Sequence, residues 1–215
     1  MHPAMTFIFD LDGTVTAAET LPMIAAHFAV TEDIAELTAQ TVAGGIPFED
    51  SLLQRVAILG RFDISEVNAV LRAAPVLPGL MGFIKARRSG CVIATGNLDV
   101  WIAGLSQRIG CKVHSSRARV EDNAVVGVDH ILNKDAVVQA YQGAGDRVVY
   151  IGDGHNDLGA MQQADIAIAS SIVHAAPSSV RDVCDFTVWT EVDLLALLER
   201  IETGDIRPKQ RTIRL

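Results

Sequence analysis

The sequence predicts an α/β fold: a parallel, doubly wound (Rossmann-like) sheet with helices on both faces, joined to a small all-helical cap. Short apolar runs bounded by Gly, Asp or Asn alternate with helix-like segments, the pattern of a parallel sheet. The runs are continuous rather than alternating, so both faces of the sheet are covered. About 75 residues, Val15 to Gly90, separate the first run from the second, far more than the roughly 10 to 12 that a strand-to-strand crossover needs.

The first strand is "TFIFD". The inserted residues read as four helices, "TLPMIAAHFAV", "EDIAELTAQTV", "PFEDSLLQRVAIL" and "DISEVNAVLRAA", the last opening with Asp63 and Glu66 at capping-box spacing. "PVLPG" is the point of return. A core of residues 1–15 and 76–215 and a cap of residues 16–75 follow. "CVIATG", "CKVHSS", "RVVYIGDG" and "DIAIAS" supply the remaining core strands. "RARVEDNAVVGVDHIL" predicts a hairpin turning at Glu-Asp-Asn; no chemistry is assigned to it.

The 215 residues can bury a sizeable core, and 49% of them are hydrophobic against 20% charged. A net charge of -8 argues against a general nucleic-acid partner. The basic end, "RPKQRTIRL", reads as a solvated tail. Three scattered cysteines, Cys91, Cys111 and Cys184, fit buried free thiols rather than a disulfide set or a metal knot. No run is long enough for a signal peptide or a membrane span. The expectation is a cytoplasmic protein, monomer or homodimer, with no membrane partner.

The chemistry gathers at strand ends, where open α/β sheets build their sites. Asp10 and Asp12 are two apart, so on an extended backbone their side chains project to one side. Alone, "DLDGT" is also a turn signal. A second cluster, Asp153 and Asp157 in "GDGHND", repeats the arrangement. Close like charges repel by roughly 4 kcal/mol at an effective dielectric near 20. A hard divalent cation with oxygen ligands, most simply Mg2+, offsets that repulsion. On the third inserted helix Phe48, Leu52, Arg55, Val56 and Leu59 share a face. A guanidinium on that stripe needs an anionic partner or a route to water.

In order along the chain, "DLDGT", "VIATG", Lys134 in "LNKDAVV" and "GDGHND" resemble the four motifs of the haloacid dehalogenase-like superfamily. The resemblance implies a phosphomonoester hydrolase working through an aspartyl phosphate. By it, Asp10 is the nucleophile and Asp12 the general acid and base. Mg2+ would be held by the Asp10 carboxylate, the Asp12 carbonyl and Asp153, with Asp157 a ligand or support. Lys134 supplies a second cation, and Thr95 a hydroxyl. Gly96 adds a backbone donor to the phosphate.

Within the superfamily, Glu19, Phe48 and Arg55 match the residues that surround the amino acid moiety in phosphoserine phosphatases, and Asn156 matches a polar residue near the phosphate. The partner implied is a small phosphate ester, phosphoserine or a similar phosphorylated amino acid. Three positions depart from the pattern: Gly13 stands where many of those enzymes have Ser, His155 where they have a small residue, and Thr95-Gly96-Asn97 replaces Ser-Gly-Gly. Asn97 brings a side chain to the ligand, so a different small carboxylated phosphate ester is an alternative. Phosphoryl transfer to an alcohol acceptor is another.

Overall fold

The computed structural model describes residues 4–42 and 45–206, so the basic tail, residues 207–215, lies outside the described residues. Strand β1 (Met5–Phe9) is followed by α1 (Thr20–His27), α2 (Thr31–Val42), α3 (Phe48–Leu59), α4 (Ile64–Arg72) and α5 (Pro78–Ala86). Then come β2 (Cys91–Leu98), α6 (Asp99–Ile109), β3 (Lys112–Glu121), β4 (Ala124–His130), α7 (Lys134–Gly143) and β5 (Arg147–Gly152). A one-turn 3-10 helix (His155–Asp157), α8 (Leu158–Gln163), β6 (Ile166–Ser170), α9 (Ser178–Val183), β7 (Phe186–Val188) and α10 (Glu191–Glu202) complete the order.

The seven strands form one sheet, β4-β3-β2-β1-β5-β6-β7, parallel throughout except for the β3–β4 hairpin. Its continuous apolar strands divide their side chains between two cores. Phe7, Phe9, Ile93, Val149 and Ile151 pack on one face; Ile8, Val92, Val148 and Tyr150 pack on the other. Burying each such side chain contributes about 1.5–3 kcal/mol. β7, only three residues with Thr187 at its centre, is too short to stand out in the sequence.

The four helices expected between the first two strands are all present. Asp63 caps α4 by accepting from the amides of Ser65 (2.8 Å) and Glu66 (3.1 Å), but the capping box is half formed: the Glu66 carboxylate turns to His27 Nε2 at 2.9 Å. The hairpin turns through Asp122 and Asn123, both at positive φ (47° and 60°), the geometry of a tight two-residue turn. Its tip is tied to the α3–α4 corner: Val125 N donates to Gly60 O at 2.8 Å, Ile64 N to Asn123 O at 3.0 Å, and Asn123 Nδ2 to Asp63 Oδ2 at 2.5 Å. Cys91 and Cys111 are free thiols; Cys91 is buried, whereas Cys111 and Cys184 are half-buried, so the expectation of buried thiols holds for Cys91 alone. No helix among the described residues is long and apolar enough to cross a membrane.

Candidate active site

A cavity of about 740 Å³ opens at the C-terminal ends of β1, β2 and β5, beneath α2 and α3. Asp10 continues the β1 ladder by one bond, its N–H donating to Ile151 O at 2.8 Å, which fixes its side chain at the cavity floor. Asp10 Oδ1 accepts from Lys134 Nζ at 2.7 Å, whereas Oδ2 has no partner among the described residues. Lys134 opens α7 and is buried; it also reaches Asp157 Oδ1 at 2.7 Å. Burial alone would pull the ammonium down, but Asp10 and Asp157 hold it charged.

Burial pushes the Asp10 carboxyl up, the charge of Asp157 adds to this, and Lys134 opposes both. The 2.7 Å contact with a charged ammonium is the geometry of ionised Asp10. Asp157 is fully engaged: Oδ1 accepts from Lys134 and from Tyr150 Oη (2.6 Å), Oδ2 from the amides of Asp153 (3.2 Å) and Gly154 (3.1 Å). It stands behind Lys134 and shapes the turn after β5.

Carboxylate oxygens of Asp10, Asp153 and Asp157 lie within 4.8 Å of one another and could hold a metal ion. Asp157 carries four donors against two on Asp153 and one on Asp10, so Asp10 and Asp153 keep more acceptor capacity for an incoming cation. An all-oxygen, buried, anionic set suits a hard divalent ion. Asp153 is steadied by Thr14 Oγ1 (2.8 Å) and by His174 Nε2 (2.8 Å).

Asp12 does not share this cluster. Its carboxylate turns to the start of α1, where Oδ1 accepts from Thr20 N at 2.9 Å and from the Thr20 hydroxyl. Asp12 lines the same cavity as Asp10 but stands outside the candidate metal group, the chain having left the strand after Phe9 and turned at Gly13 (φ +70°). Asp12 thereby satisfies a first-turn amide that the N-cap residue, Glu19, leaves unbonded. Glu19 instead enters the cavity, where burial, with the charges of Asp12 and Asp153, pushes its carboxyl up to about 7.

From the opposite wall, Arg55 reaches in from α3. Its Nε and Nη2 donate to Ser51 Oγ (3.0 and 2.7 Å) and Nη2 also to Thr41 Oγ1 (3.0 Å). Nη1 has no partner among the described residues. Phe48, at the start of α3, lies over Gly96: a Cβ there would come 2.7 Å from its Cε1 and closer still to its Cζ. The bare Gly96 thus admits Phe48 as well as leaving its backbone open. Thr95, Asn97 and Asn156 also line the cavity. Every expected site residue therefore surrounds the cavity or, like Lys134 and Asp157, stands directly behind Asp10.

Six contributors were missed in the sequence: Thr14, Thr20, Thr41, Ser51, Tyr150 and His174. Tyr150 is hidden in an apolar strand, although a buried Tyr hydroxyl normally demands a partner. Ser51 precedes Arg55 by one helical turn, a legible pair. Thr20 and His174 carry no periodic signal.

A family model for haloacid dehalogenase-like hydrolases matches residues 4–165. The chain belongs to that family. The hydrolase is 27% identical over 177 residues to a phosphoserine phosphatase of Methanocaldococcus jannaschii, covering 75% of this chain and 83% of the relative. To that of Halobacterium salinarum it is 29% identical over 199 residues, covering 86% and 92%. The match to the Streptomyces coelicolor phosphoserine phosphatase, 27% over 176 residues, spans 75% of this chain but 43% of that longer relative. A solved substrate-bound phosphoserine phosphatase complex superposes with a TM-score of 0.78 at 23% identity, covering 93% of this chain and 99% of the other; at that identity the likeness is one of fold. The hydrolase falls on the phosphoserine phosphatase-like branch and is a phosphatase.

Proposed function

We propose that the chain is a Mg2+-dependent phosphatase that cleaves a small phosphorylated amino acid, phosphoserine or a close analogue, through an aspartyl phosphate on Asp10. The observation that carries this reading is Asp10 itself: one oxygen held by a buried ammonium, the other without a partner among the described residues, at the floor of a cavity whose far wall presents Arg55. Asp10 Oδ2 attacks phosphorus, and the leaving alkoxide takes a proton from Asp12. Asp12 then removes a proton from the water that releases phosphate. Lys134 offsets the negative charge of nucleophile and phosphate, which otherwise repel. Thr95, Gly96 and Asn156 border the phosphate position. Asp10, Asp153 and the Asp12 carbonyl would hold Mg2+, which when bound screens the phosphoryl charge.

Arg55 pairs with the substrate carboxylate and Glu19 with its ammonium, while Phe48 excludes water. In this reading residues 16–75 are a cap on a core of residues 1–15 and 76–215. The division is supported where the chain leaves and returns: Thr16 bridges Val76, Ala17 N donates to Pro75 O at 2.9 Å and Leu77 N to Val15 O at 3.0 Å. The free thiols of Cys91 and Cys111 support a cytoplasmic setting.

The test is phosphate release from L-phosphoserine against phosphoethanolamine, which lacks the carboxylate. Wild type should prefer phosphoserine, and Arg55→Ala should lose that preference by about tenfold or more, the scale of a charged hydrogen bond. Equal use of both esters by wild type contradicts the amino acid reading.

A further inference from the structure

Asn97 carries a side chain where the resemblance leads one to expect bare backbone, and both ends of its amide are used inside the protein. Oδ1 accepts from Leu98 N at 2.8 Å, and Nδ2 donates to Thr20 Oγ1 at 2.6 Å. The residue is buried at 4% exposure. A flipped amide would set Nδ2 against the Leu98 N–H, donor against donor, so the orientation is fixed. Thr20 Oγ1 receives that amide hydrogen and has a single hydrogen of its own, which goes to Asp12 Oδ1. Asp12 Oδ1 takes a second donor from Thr20 N, and no described residue donates to Oδ2.

We propose that Asn97 is a positioning residue for Asp12: by occupying the acceptor side of Thr20, it commits the Thr20 hydroxyl hydrogen to Asp12 Oδ1 and leaves Oδ2 as the oxygen that carries the catalytic proton. This replaces the substrate contact expected of Asn97 and rests on the reading of Asp12 as acid and base. The chain Asn97–Thr20–Asp12 also joins the end of β2 to the first residue of α1. The orientation of the acid is thus tied to the seating of the inserted helices on the sheet.

Substitutions that break the chain should harm proton transfer more than binding. Asn97→Asp is nearly isosteric but offers Thr20 an acceptor, drawing its hydrogen away from Asp12. Asn97→Ala removes the donor, Thr20→Val removes the hydroxyl, and Thr20→Ser keeps it. With L-phosphoserine, Asn97→Asp, Asn97→Ala and Thr20→Val should each lower kcat/KM by about tenfold or more, part of the 10²- to 10⁴-fold typical of general acid–base catalysis, with KM changed less than about twofold. Thr20→Ser should stay near wild type, and Asn97→Ala with Thr20→Val should be no worse than either alone. With p-nitrophenyl phosphate, whose leaving group needs little protonation, the loss in kcat/KM should largely disappear.

A rise in KM alone, or equal losses on both esters, overturns the proposal. So does a crystal structure of Asn97→Ala in which Thr20 and Asp12 keep their wild-type contact, a readout independent of turnover. An Asp10→Asn variant that remains active would instead sink the aspartyl-phosphate reading, which separates the two failures.

Discussion

The imidazole of His174 lies against Gly13, so that a Cβ on Gly13 would fall 2.8 Å from its Cε1 and 2.7 Å from Asp153 Oδ2. Gly13 also has φ +70°, a conformation costing other residues roughly 1–2 kcal/mol. The bare Gly13 thus leaves room for both the Asp153 carboxylate and the His174 imidazole. Gly13→Ser should lower stability by about 1–2 kcal/mol or more, and adding His174→Ala should recover part of the loss, as read by thermal melts. Strict additivity of the two substitutions would show that the imidazole does not fill this space.

Glu19 provides a pH signature. Its carboxyl is raised to about 7 by burial and by Asp12 and Asp153, so in the proposed role it can pair with a substrate ammonium as a carboxylate only as pH rises through that value. For L-phosphoserine, kcat/KM should therefore rise through about pH 7, and Glu19→Gln should flatten that limb. For stability the sign is opposite. The folded chain binds the extra proton between about 4.5 and 7, so the contribution of Glu19 declines over that window as pH rises. Glu19→Gln should be relatively most stabilising above pH 7.

The clasp between the hairpin tip and the α3–α4 corner depends on Asp63. Its carboxyl is held below its ordinary value, first by the Glu66 amide and also by Asn123. A lowered folded value stabilises above the unfolded carboxylate range and is lost as pH falls through the folded value. Asp63→Ala should lower Tm by a few degrees at neutral pH, and the difference should fade in acid. Amide exchange at Ile64 and Val125 should quicken together. If only α4 loosens, the hairpin is not holding the corner.

Ser170 ends β6 fully buried, with no hydrogen-bond partner for Oγ among the described residues. An unpaired buried hydroxyl costs stability. Ser170→Ala should be neutral or stabilising by about 1 kcal/mol in denaturant unfolding; a clear destabilisation would reveal a bond to that oxygen.

What was legible in the sequence was what periodicity and charge encode. Strands buried on both faces read as continuous apolar runs, and the four inserted helices declared their apolar stripes. The acidic residues stood out because charge at the end of a buried strand needs a reason. What was not legible depends on where the chain goes after an element ends. Asp12 turns to Thr20 because Gly13 redirects the backbone, Asn97 finds Thr20 across 77 positions, and His174 comes from a loop with no pattern. The hairpin's tie to the α3–α4 corner did not show in the sequence because it is a contact at long range.

The most direct test of the central claim is rapid-quench mass spectrometry of wild type and Asp10→Asn during turnover of L-phosphoserine with Mg2+. The account predicts a phosphoryl group on the peptide that carries Asp10, phosphate release abolished by chelation and restored by Mg2+, and neither label nor turnover in Asp10→Asn. Turnover retained by Asp10→Asn, or wild-type turnover with no phosphoryl group on Asp10, would contradict it.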